Sequence, residues 1–325
     1  MFVPEGQGWI ADYPYAAVAA GLVVLVVGAD LLVRGAVWIA LVIGMSRMAV
    51  GLTLVAMGTS LPELLVSLTA ARTGRSSIAM ANVIGSNCAN TLLIVGTAAA
   101  ICSIRLVVQR LELVYSLIAT ALAGLPFLWA GGVDRTTSGL MVGMLVLFCA
   151  QLLLRERRNQ QPKQEDSPRA TAVGWVLHLL LLGGGFAALM FGADWLVEGS
   201  VVIARTWGMS EGLIGMTIVA IGTSLPELAT SAVAAAKRQP EIAVGNVIGS
   251  NIFNVGAVLG IAGLLQPFPV DVGELWRLMV ATAVAAVLLV VVLVSARGVP
   301  RSIGALFLLA YLGFLVNEVR LSHGG

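Results

Sequence analysis

The feature that most constrains this chain is an internal repeat of its own sequence. When 164 is subtracted from the residue numbers of the second half, residues 192–260 align without a gap on residues 28–96, and 36 of the 69 positions are identical. The identical positions include polar residues, whereas a duplication kept only for packing would preserve mainly apolar shape. The sequence therefore predicts two similar halves that share a functional site.

The composition places these two halves in a membrane. Of the 325 residues, 58% are hydrophobic and 11% are charged, and the mean hydropathy is +0.96. Soluble domains carry about 25% charged residues, so we predict an all-α polytopic membrane protein with little mass outside the lipid bilayer. The net charge of +2 gives no indication of nucleic-acid binding.

Apolar segments of about 20 residues, the length of a membrane-spanning helix, occur ten times. The predicted spans lie near residues 15–43, 49–71, 78–102, 111–130, 139–154, 173–204, 212–236, 242–264, 275–296 and 302–318. They divide the chain into a first five-helix repeat (1–154), a polar linker (155–172) and a second five-helix repeat (173–325). Because each half holds an odd number of spans, the second half enters the membrane from the opposite side, which predicts an inverted repeat.

The basic residues predict how these spans are oriented. With the linker in the cytoplasm, twelve Lys and Arg residues fall on the inner side and five on the outer side. The positive-inside rule then predicts a multi-pass protein of the plasma (inner) membrane with a cytoplasmic linker and both termini outside. Residues 1–15 contain no Lys or Arg, so a cleaved signal peptide is not predicted.

The most unusual part of the repeat is the hexapeptide Gly-Thr-Ser-Leu-Pro-Glu, which occurs at residues 58–63 and again at 222–227. Each copy puts a proline and a glutamate, Glu63 or Glu227, inside a predicted span. A charged residue at the centre of a membrane helix costs about 2.5–3.5 kcal/mol, and proline removes a backbone hydrogen bond. Ionisable residues inside a membrane are functional candidates by default, so we predict that both glutamates belong to a site.

A second repeated stretch, Asn-Val-Ile-Gly-Ser-Asn followed after two intervening residues by another Asn, starts at Asn82 and at Asn246. Residues four apart lie on one face of a helix, so hydroxyl and amide groups can gather around the glutamates. The prolines should also free backbone carbonyls near Ala56 and Ala220. Such a cluster of oxygens, without imidazole or thiolate, suits hard cations such as Ca²⁺. Two carboxylates carry a charge of −2, which one Ca²⁺ or two Na⁺ neutralise and which three Na⁺ exceed, leaving a partly charged site. No cofactor is predicted.

Other reactive residues within the spans are assigned structural roles. Asp30 and Asp194 match in the repeat, but Arg34 follows the first and Glu198 the second at the same spacing. We therefore favour a structural or pathway role for both aspartates over direct ligation. His178 is expected to be an interfacial or packing residue. The cysteines lack CxxC spacing and are expected to be buried free thiols: Cys88, Cys102 and Cys149.

The paired G-T-S-L-P-E and G-S-N-x-x-N stretches, in an inverted five-plus-five repeat, resemble the cation/calcium antiporter superfamily and its sodium/calcium exchangers. The chain length and the short linker resemble prokaryotic members. The resemblance covers nearly the whole chain and implies ten helices, of which the first and sixth slide past a compact bundle that holds the cations. It implies a secondary antiporter and not an enzyme, with Ca²⁺ and Na⁺ as transported ions and no obligate protein partner.

Carried over position by position, the resemblance assigns ion ligands in both halves. The ligands implied are Thr59, Ser60, Glu63, Ser86 and Asn90 in the first half and Thr223, Ser224, Glu227, Ser250 and Asn254 in the second. Backbone carbonyls of Ala56 and Ala220 are expected to join them. Many sodium/calcium exchangers have aspartate at the position of Asn90 or Asn254, so the resemblance leaves a proton or another cation open as the counter-ion.

Three alternatives to Ca²⁺/Na⁺ exchange remain at this point. The first is a Ca²⁺/H⁺ exchanger on the same scaffold. The second is an intramembrane hydrolase that uses Glu63 and Glu227 as an acid–base dyad, although no other catalytic group accompanies them. The third is a passive cation channel, which would conduct without a counter-ion.

Overall fold

The computed structural model describes residues 8–74, 76–105, 108–130, 132–158, 170–209, 218, 220–270 and 272–323. Within these ranges almost all of the chain is helical, as the apolar composition predicts. The helices follow the same order in the two halves of the sequence.

The first half begins with a short helix, α1 (Trp9–Asp12), and a long one, α2 (Pro14–Ile43). Helix α2 ends at Gly44, whose left-handed conformation (φ +73°) is accessible to glycine without strain. The other helices of this half are α3 (Arg47–Val50), α4 (Ala56–Thr59), α5 (Leu61–Arg72), α6 (Ser76–Ala89), α7 (Val95–Ile101), α8 (Arg110–Leu125) and α9 (Arg135–Arg158).

The second half begins with the long helix α10 (Ala172–Thr206), which corresponds to α2. The helices that follow are α11 (Ala220–Gly222), α12 (Leu225–Ala236), α13 (Pro240–Phe253), α14 (Gly260–Leu265), α15 (Val272–Ser295) and α16 (Arg301–His323).

Several of these helices contain wider, π-helical turns that the sequence analysis does not predict. They are Gly51–Val55 between α3 and α4, Asn90–Ile94 between α6 and α7, Pro126–Ala130 after α8, and Asn254–Leu259 between α13 and α14. Two of them start at predicted cation ligands, Asn90 and Asn254. Such turns are frequent at functional sites, where they redirect side chains.

Eight helices of the described residues are long and apolar enough to cross a membrane. They are Pro14–Ile43, Ser77–Ile101, Arg110–Leu128, Arg135–Arg158, Ala172–Thr206, Pro240–Leu265, Leu275–Ser295 and Arg301–Glu318. The pair Arg47–Thr59 and Leu61–Arg72, bent by 44°, gives a ninth. These correspond to nine of the ten predicted spans. The remaining one, 212–236, lies partly outside the described residues, and its described part contains α11 and α12.

Burial places the two Gly-Ser-Asn stretches at the centre of the bundle. In the span Pro240–Leu265, 83% of the most apolar 18-residue stretch is buried inside the protein, and in Ser77–Ile101 the share is 72%. The other six of the eight unbroken spans are between 17% and 44% buried, so these six form the outer layer. The two repeated polar stretches are thus removed from the surface that lipid contacts.

Helices α2 and α10 pack antiparallel through glycines that recur every seven residues. A methyl group at Gly28 would come within 2.8 Å of the Leu189 backbone nitrogen, and one at Gly192 within 2.6 Å of the Leu25 nitrogen. Small residues allow such close backbone contact between membrane helices. Gly192 is the repeat partner of Gly28, so matching helices of the two halves run in opposite directions, as an inverted repeat requires.

The fifth span extends beyond its predicted end at residue 154. Helix α9 continues to Arg158 and so includes the start of the predicted linker. Polar contacts hold this extension. The Nη2 of Arg155 lies 2.7 Å from Oε1 of the buried Glu112, and the carboxylate of Glu156 accepts the Ser46 N–H at 2.7 Å. At the other end of α9, hydrogen bonds from Thr137 hold the pKa of Asp134 below its usual value.

Two pairs of two-residue strands, for which the sequence has no local signal, join the halves. Strand β1 (Ile104–Arg105) pairs antiparallel with β4 (Gly298–Val299), and β2 (Gly132–Val133) pairs antiparallel with β3 (Phe268–Pro269). Each pair takes one strand from each half. In the 164-residue register β1 corresponds to β3, and β4 lies two residues beyond the positions that correspond to β2.

Candidate cation-binding site

Each hexapeptide lies at a break between two helices. Ser60 alone separates α4 from α5, and Thr223 and Ser224 separate α11 from α12. Pro62 and Pro226 occupy the second position of the new helices, where the missing N–H removes no helical hydrogen bond. The prolines therefore lie at helix starts, and each glutamate falls in a first turn, where the helix dipole favours negative charge.

The break does not free the predicted carbonyl ligand of the first half. The carbonyl of Ala56 accepts the Ser60 N–H at 3.1 Å, because the helical bonding continues up to the break. In the second half the Ser224 N–H donates at 3.0 Å to Ile221, one residue beyond Ala220. The two breaks thus differ in their hydrogen bonding although their sequences are identical.

The two glutamates are fully buried (0% exposed). The hydroxyl of Ser86 donates to Oε1 of Glu63 at 3.5 Å, and that of Ser60 donates to Oε1 of Glu227 at 3.3 Å. Because Ser60 belongs to the first half and Glu227 to the second, the two hexapeptides contribute to one cluster.

The threonines of the hexapeptides also reach across the repeat. The Thr59 hydroxyl donates to Oδ1 of Asn246 at 3.2 Å and lies 3.4 Å from the hydroxyl of Ser250. The Thr223 hydroxyl donates to Oδ1 of Asn82 at 3.3 Å. Each threonine therefore contacts the Gly-Ser-Asn stretch of the other half.

Asn90 and Asn254 lie at the starts of their π-helical turns and use their amide nitrogens in the same way. Nδ2 of Asn90 donates to Oδ1 of Asn251 at 3.0 Å, and Nδ2 of Asn254 donates to Oδ1 of Asn87 at 3.0 Å. With the nitrogens bound to protein, the two amide oxygens are the atoms left to face other partners.

Oxygen atoms of the predicted ligands are buried and accept no hydrogen bond within the described part of the chain. These atoms are Glu63 Oε2, Asn90 Oδ1, Ser224 Oγ, Glu227 Oε2 and Asn254 Oδ1. Buried polar atoms normally have a partner, since burying one without compensation costs about 1–3 kcal/mol. Four of the five atoms can only accept, so a cation would satisfy them. The donor set is hard oxygen with two carboxylates, which suits Ca²⁺ and Na⁺.

The described residues contain no group of three or more His, Cys, Asp or Glu side chains that could hold a metal ion. A site built from Glu63 and Glu227 would thus depend on neutral hydroxyl and amide oxygens. His178 lies elsewhere, stacked on Trp38 at a centroid distance of 4.1 Å. This confirms its predicted packing role. The cysteines are free thiols: Cys88 is buried, and Cys102 and Cys149 are partly buried.

The matched aspartates have different surroundings. Asp30 forms ion pairs with Arg34 (2.6 Å) and with Lys237 from the end of α12. Asp194 instead lines a cavity of about 270 Å³ between α5, α10 and the second hexapeptide, and this cavity also contacts Thr223. Asp30 is thus held in ion pairs, and Asp194 lies on an approach to the cluster.

Four further asparagines, at positions 82, 87, 246 and 251, have roles that the sequence does not predict: their amides form hydrogen bonds to other polar groups of the protein. Their identical letters in both halves, Asn-Val-Ile-Gly-Ser-Asn, were the available signal. Sequence alone did not separate them from Asn90 and Asn254, because that distinction depends on which way each amide points.

Comparison with known proteins connects this geometry to a family. The model of the sodium/calcium exchanger protein family matches the chain twice, over residues 13–154 and 177–319. CaxA of Alkalimonas amylolytica is 38% identical over 313 residues, which cover 91% of this chain and 96% of CaxA. The inner membrane protein YrbG of Escherichia coli (strain K12) is 32% identical over 202 residues, which cover 60% of this chain and 62% of YrbG.

A solved structure supports the same relationship. The sodium-calcium exchanger NCX_Mj, soaked with zero Na⁺ and Ca²⁺, superposes with a TM-score of 0.80 at 28% identity, covering 93% of this chain and 97% of NCX_Mj. The same exchanger soaked with 10 mM Na⁺ and 10 mM Sr²⁺ gives a TM-score of 0.78.

Proposed function

Because the chain belongs to the sodium/calcium exchanger family, we propose that this cation antiporter exchanges Ca²⁺ for Na⁺ by alternating access. Members of this family are transporters and not enzymes, so the two glutamates are not read as a hydrolytic dyad. The exchange would occur across a membrane that the chain crosses several times.

The observation that carries the proposal is the set of buried oxygens without hydrogen-bond partners, which includes one oxygen of Glu63 and one of Glu227. Two carboxylates carry two negative charges, which one Ca²⁺ neutralises. Two Na⁺ would neutralise the same pair. Since both ions need the same oxygens, the two occupancies exclude each other, which is the requirement for exchange.

The proposed ligands come from both halves. They are Glu63, Glu227, Thr59, Thr223, Ser60, Ser224, Ser86, Ser250, Asn90 and Asn254, with the carbonyls of Ala56 and Ala220 as additional candidates. The cross-half hydrogen bonds from Ser60 to Glu227 and from Thr59 to Asn246 support a single shared site. Backbone carbonyls have the weakest support, because Ala56 already accepts a helical N–H.

For the topology we propose two inverted five-helix repeats, 1–154 and 173–325, joined by a cytoplasmic linker at 155–172. The distribution of Lys and Arg supports this orientation, with both termini outside. The similarity to the inner membrane protein YrbG supports placement in the inner membrane.

Calcium uptake into vesicles tests the coupling. The full-length protein is reconstituted in vesicles loaded with Na⁺, and ⁴⁵Ca²⁺ uptake is measured with pH equal on both sides. We expect uptake that depends on the outward Na⁺ gradient and stops when Na⁺ is present at equal concentration on both sides. Uptake driven only by a pH gradient would overturn Na⁺ coupling, and flux without any counter-ion would indicate a channel.

Exchange of Ca²⁺ for H⁺ is the second candidate, and one feature favours it. Both π-helical turns at the site carry an amide, Asn90 and Asn254, where many sodium/calcium exchangers carry an aspartate. A site with only two carboxylates has less negative charge to hold several Na⁺ at once. The same vesicles, tested with H⁺ and K⁺ gradients imposed separately, distinguish these counter-ions.

A further inference from the structure

Asn82 and Asn246 occupy matching positions in the repeat and make the same set of hydrogen bonds. Both lie outside the proposed ligand set. Each side chain bridges the hexapeptide of its own half and that of the other half, so each is placed to control the orientation of a ligand without contacting the ion.

Asn246 accepts a hydrogen bond with its side-chain oxygen and donates two with its side-chain nitrogen. Its Oδ1 accepts the Thr59 hydroxyl at 3.2 Å. Its Nδ2 donates to the Glu227 carbonyl at 3.4 Å and to the Ser231 hydroxyl at 3.1 Å. Ser231 in turn donates its own proton to the Ala243 carbonyl at 3.4 Å, so its oxygen is free to accept.

Asn82 repeats this arrangement in the first half. Its Oδ1 accepts the Thr223 hydroxyl at 3.3 Å, and its Nδ2 donates to the Glu63 carbonyl at 3.2 Å and to the Ser67 hydroxyl at 3.0 Å. Ser67 donates to the Ala79 carbonyl at 3.4 Å. The same series of hydrogen bonds therefore occurs twice, once in each half of the molecule.

This series of hydrogen bonds fixes which atom of each asparagine amide faces the threonine. A backbone carbonyl can only accept, so it requires the amide nitrogen, and the serine, whose proton is already used, also requires a donor. Flipping the amide would put its oxygen against two oxygens that accept hydrogen bonds, the glutamate carbonyl and the serine hydroxyl, and these oxygens would repel it. The network thus assigns Oδ1 to the threonine side.

A hydroxyl that binds a cation does so through oxygen lone pairs, and its proton must point elsewhere. The Thr59 proton has two alternative acceptors, the Ala56 carbonyl and the Ser250 hydroxyl, each 3.4 Å from the Thr59 oxygen, and both acceptors belong to the proposed ligand set. A proton directed there would compete with the ion for the same oxygen.

We propose that Asn82 and Asn246 are positioning residues that take the protons of Thr223 and Thr59 and so turn both hydroxyl oxygens toward the cation. This inference rests on the proposed function, since it assumes that the threonines are ligands. Groups that orient metal ligands in this way change metal affinity by about 10- to 100-fold when they are removed.

The test measures Ca²⁺ binding to the purified full-length protein in detergent, by equilibrium dialysis with ⁴⁵Ca²⁺. For Asn246→Leu and Asn82→Leu we expect the Kd to rise about 10-fold or more. Ser231→Ala leaves every proposed ligand in place and should give a smaller rise, because Asn246 keeps its bond to the Glu227 carbonyl. Thr282→Val is the matched control, since it removes one buried interhelical hydrogen bond, to the Ile84 carbonyl, outside the site.

A double-mutant comparison separates positioning from general structural support. In a Thr59→Val background the hydroxyl is absent, so adding Asn246→Leu should raise the Kd no further. Elution as a single species and an unchanged melting temperature check that each variant is folded.

Three results would overturn the inference. They are an unchanged Kd in both folded asparagine variants, additive effects of Asn246→Leu and Thr59→Val, or a loss as large in Thr282→Val. Absence of Ca²⁺ binding by the unmodified protein would instead overturn the proposed function, and the positioning role with it.

Discussion

Glu63 and Glu227 supply all the formal charge among the proposed ligands, so each contributes half of the balance for Ca²⁺. Replacing either by glutamine keeps the side-chain size but leaves one negative charge against a divalent ion in a buried site. We expect Glu63→Gln and Glu227→Gln each to reduce ⁴⁵Ca²⁺ uptake to background in vesicles while the protein remains folded.

Glu318→Gln is the control for this prediction. Glu318 lies on α16 and is paired with Arg277 at 3.6 Å, outside the cluster. Its substitution should leave uptake unchanged. Normal uptake by a folded Glu63→Gln protein would contradict the assignment of the site.

The residues of the site show what the repeat could and could not predict. The repeated letters predicted that both hexapeptides and both Gly-Ser-Asn stretches form one cluster, and hydrogen bonds in the structure join these segments. Polar segments inside hydrophobic spans can avoid lipid only by packing against one another. The network is nevertheless asymmetric: Asn251 donates to the Thr91 hydroxyl at 3.1 Å, whereas the matching Asn87 donates to a backbone carbonyl. Position 255, which matches Thr91, is valine and cannot accept.

The helices α2 and α10 depend on glycine for their contact, and this can be tested one methyl group at a time. A Cβ at Gly192 would lie 2.6 Å from the backbone nitrogen of Leu25, which cannot move independently of its helix. We expect Gly192→Ala to destabilise the protein by about 1–3 kcal/mol, measured as a lower melting temperature, because overpacking forces the helices apart.

Gly184 lies on the same helix and is the matched control. A methyl group there would meet nothing within 4 Å, so Gly184→Ala should be neutral or slightly stabilising. Equal melting temperatures for the two variants would mean that the close contact of α2 and α10 does not limit stability.

At the scale of elements, length and hydropathy predicted the long helices but not the details that shape the site. The predicted span is interrupted next to Pro62 and bent there by 44°, but the break falls at Ser60, and Pro62 takes the second position of the new helix, where it removes no helical hydrogen bond. The π-helical turns and the two-residue strands have no local signal. Both arise where segments from the two halves meet, and a strand of two residues is stable only in that tertiary setting.

The whole molecule departs from its internal symmetry at the two aspartates. Asp194 lines a cavity that reaches Thr223, whereas Asp30 is paired with Lys237 from the end of α12. The position that matches Lys237 in the first half is Thr73, which cannot form an ion pair with Asp194. In the proposed orientation the cavity beside Asp194 lies on the outer side, and we expect the ion pair between α2 and α12 to hold the inner approach closed.

Cysteine labelling of matched positions tests this difference between the two sides. Val66 lines the cavity beside Asp194, and its repeat partner Thr230 is fully buried on α12. With the native cysteines replaced, Val66→Cys should react quickly with a water-soluble maleimide and Thr230→Cys slowly. Adding Lys237→Met removes the cation that pairs with Asp30, so the protein should spend more time open on the inner side. Labelling of Thr230→Cys should then become faster, and labelling of Val66→Cys should become slower. Unchanged rates at both positions would show that this ion pair does not hold the inner approach closed.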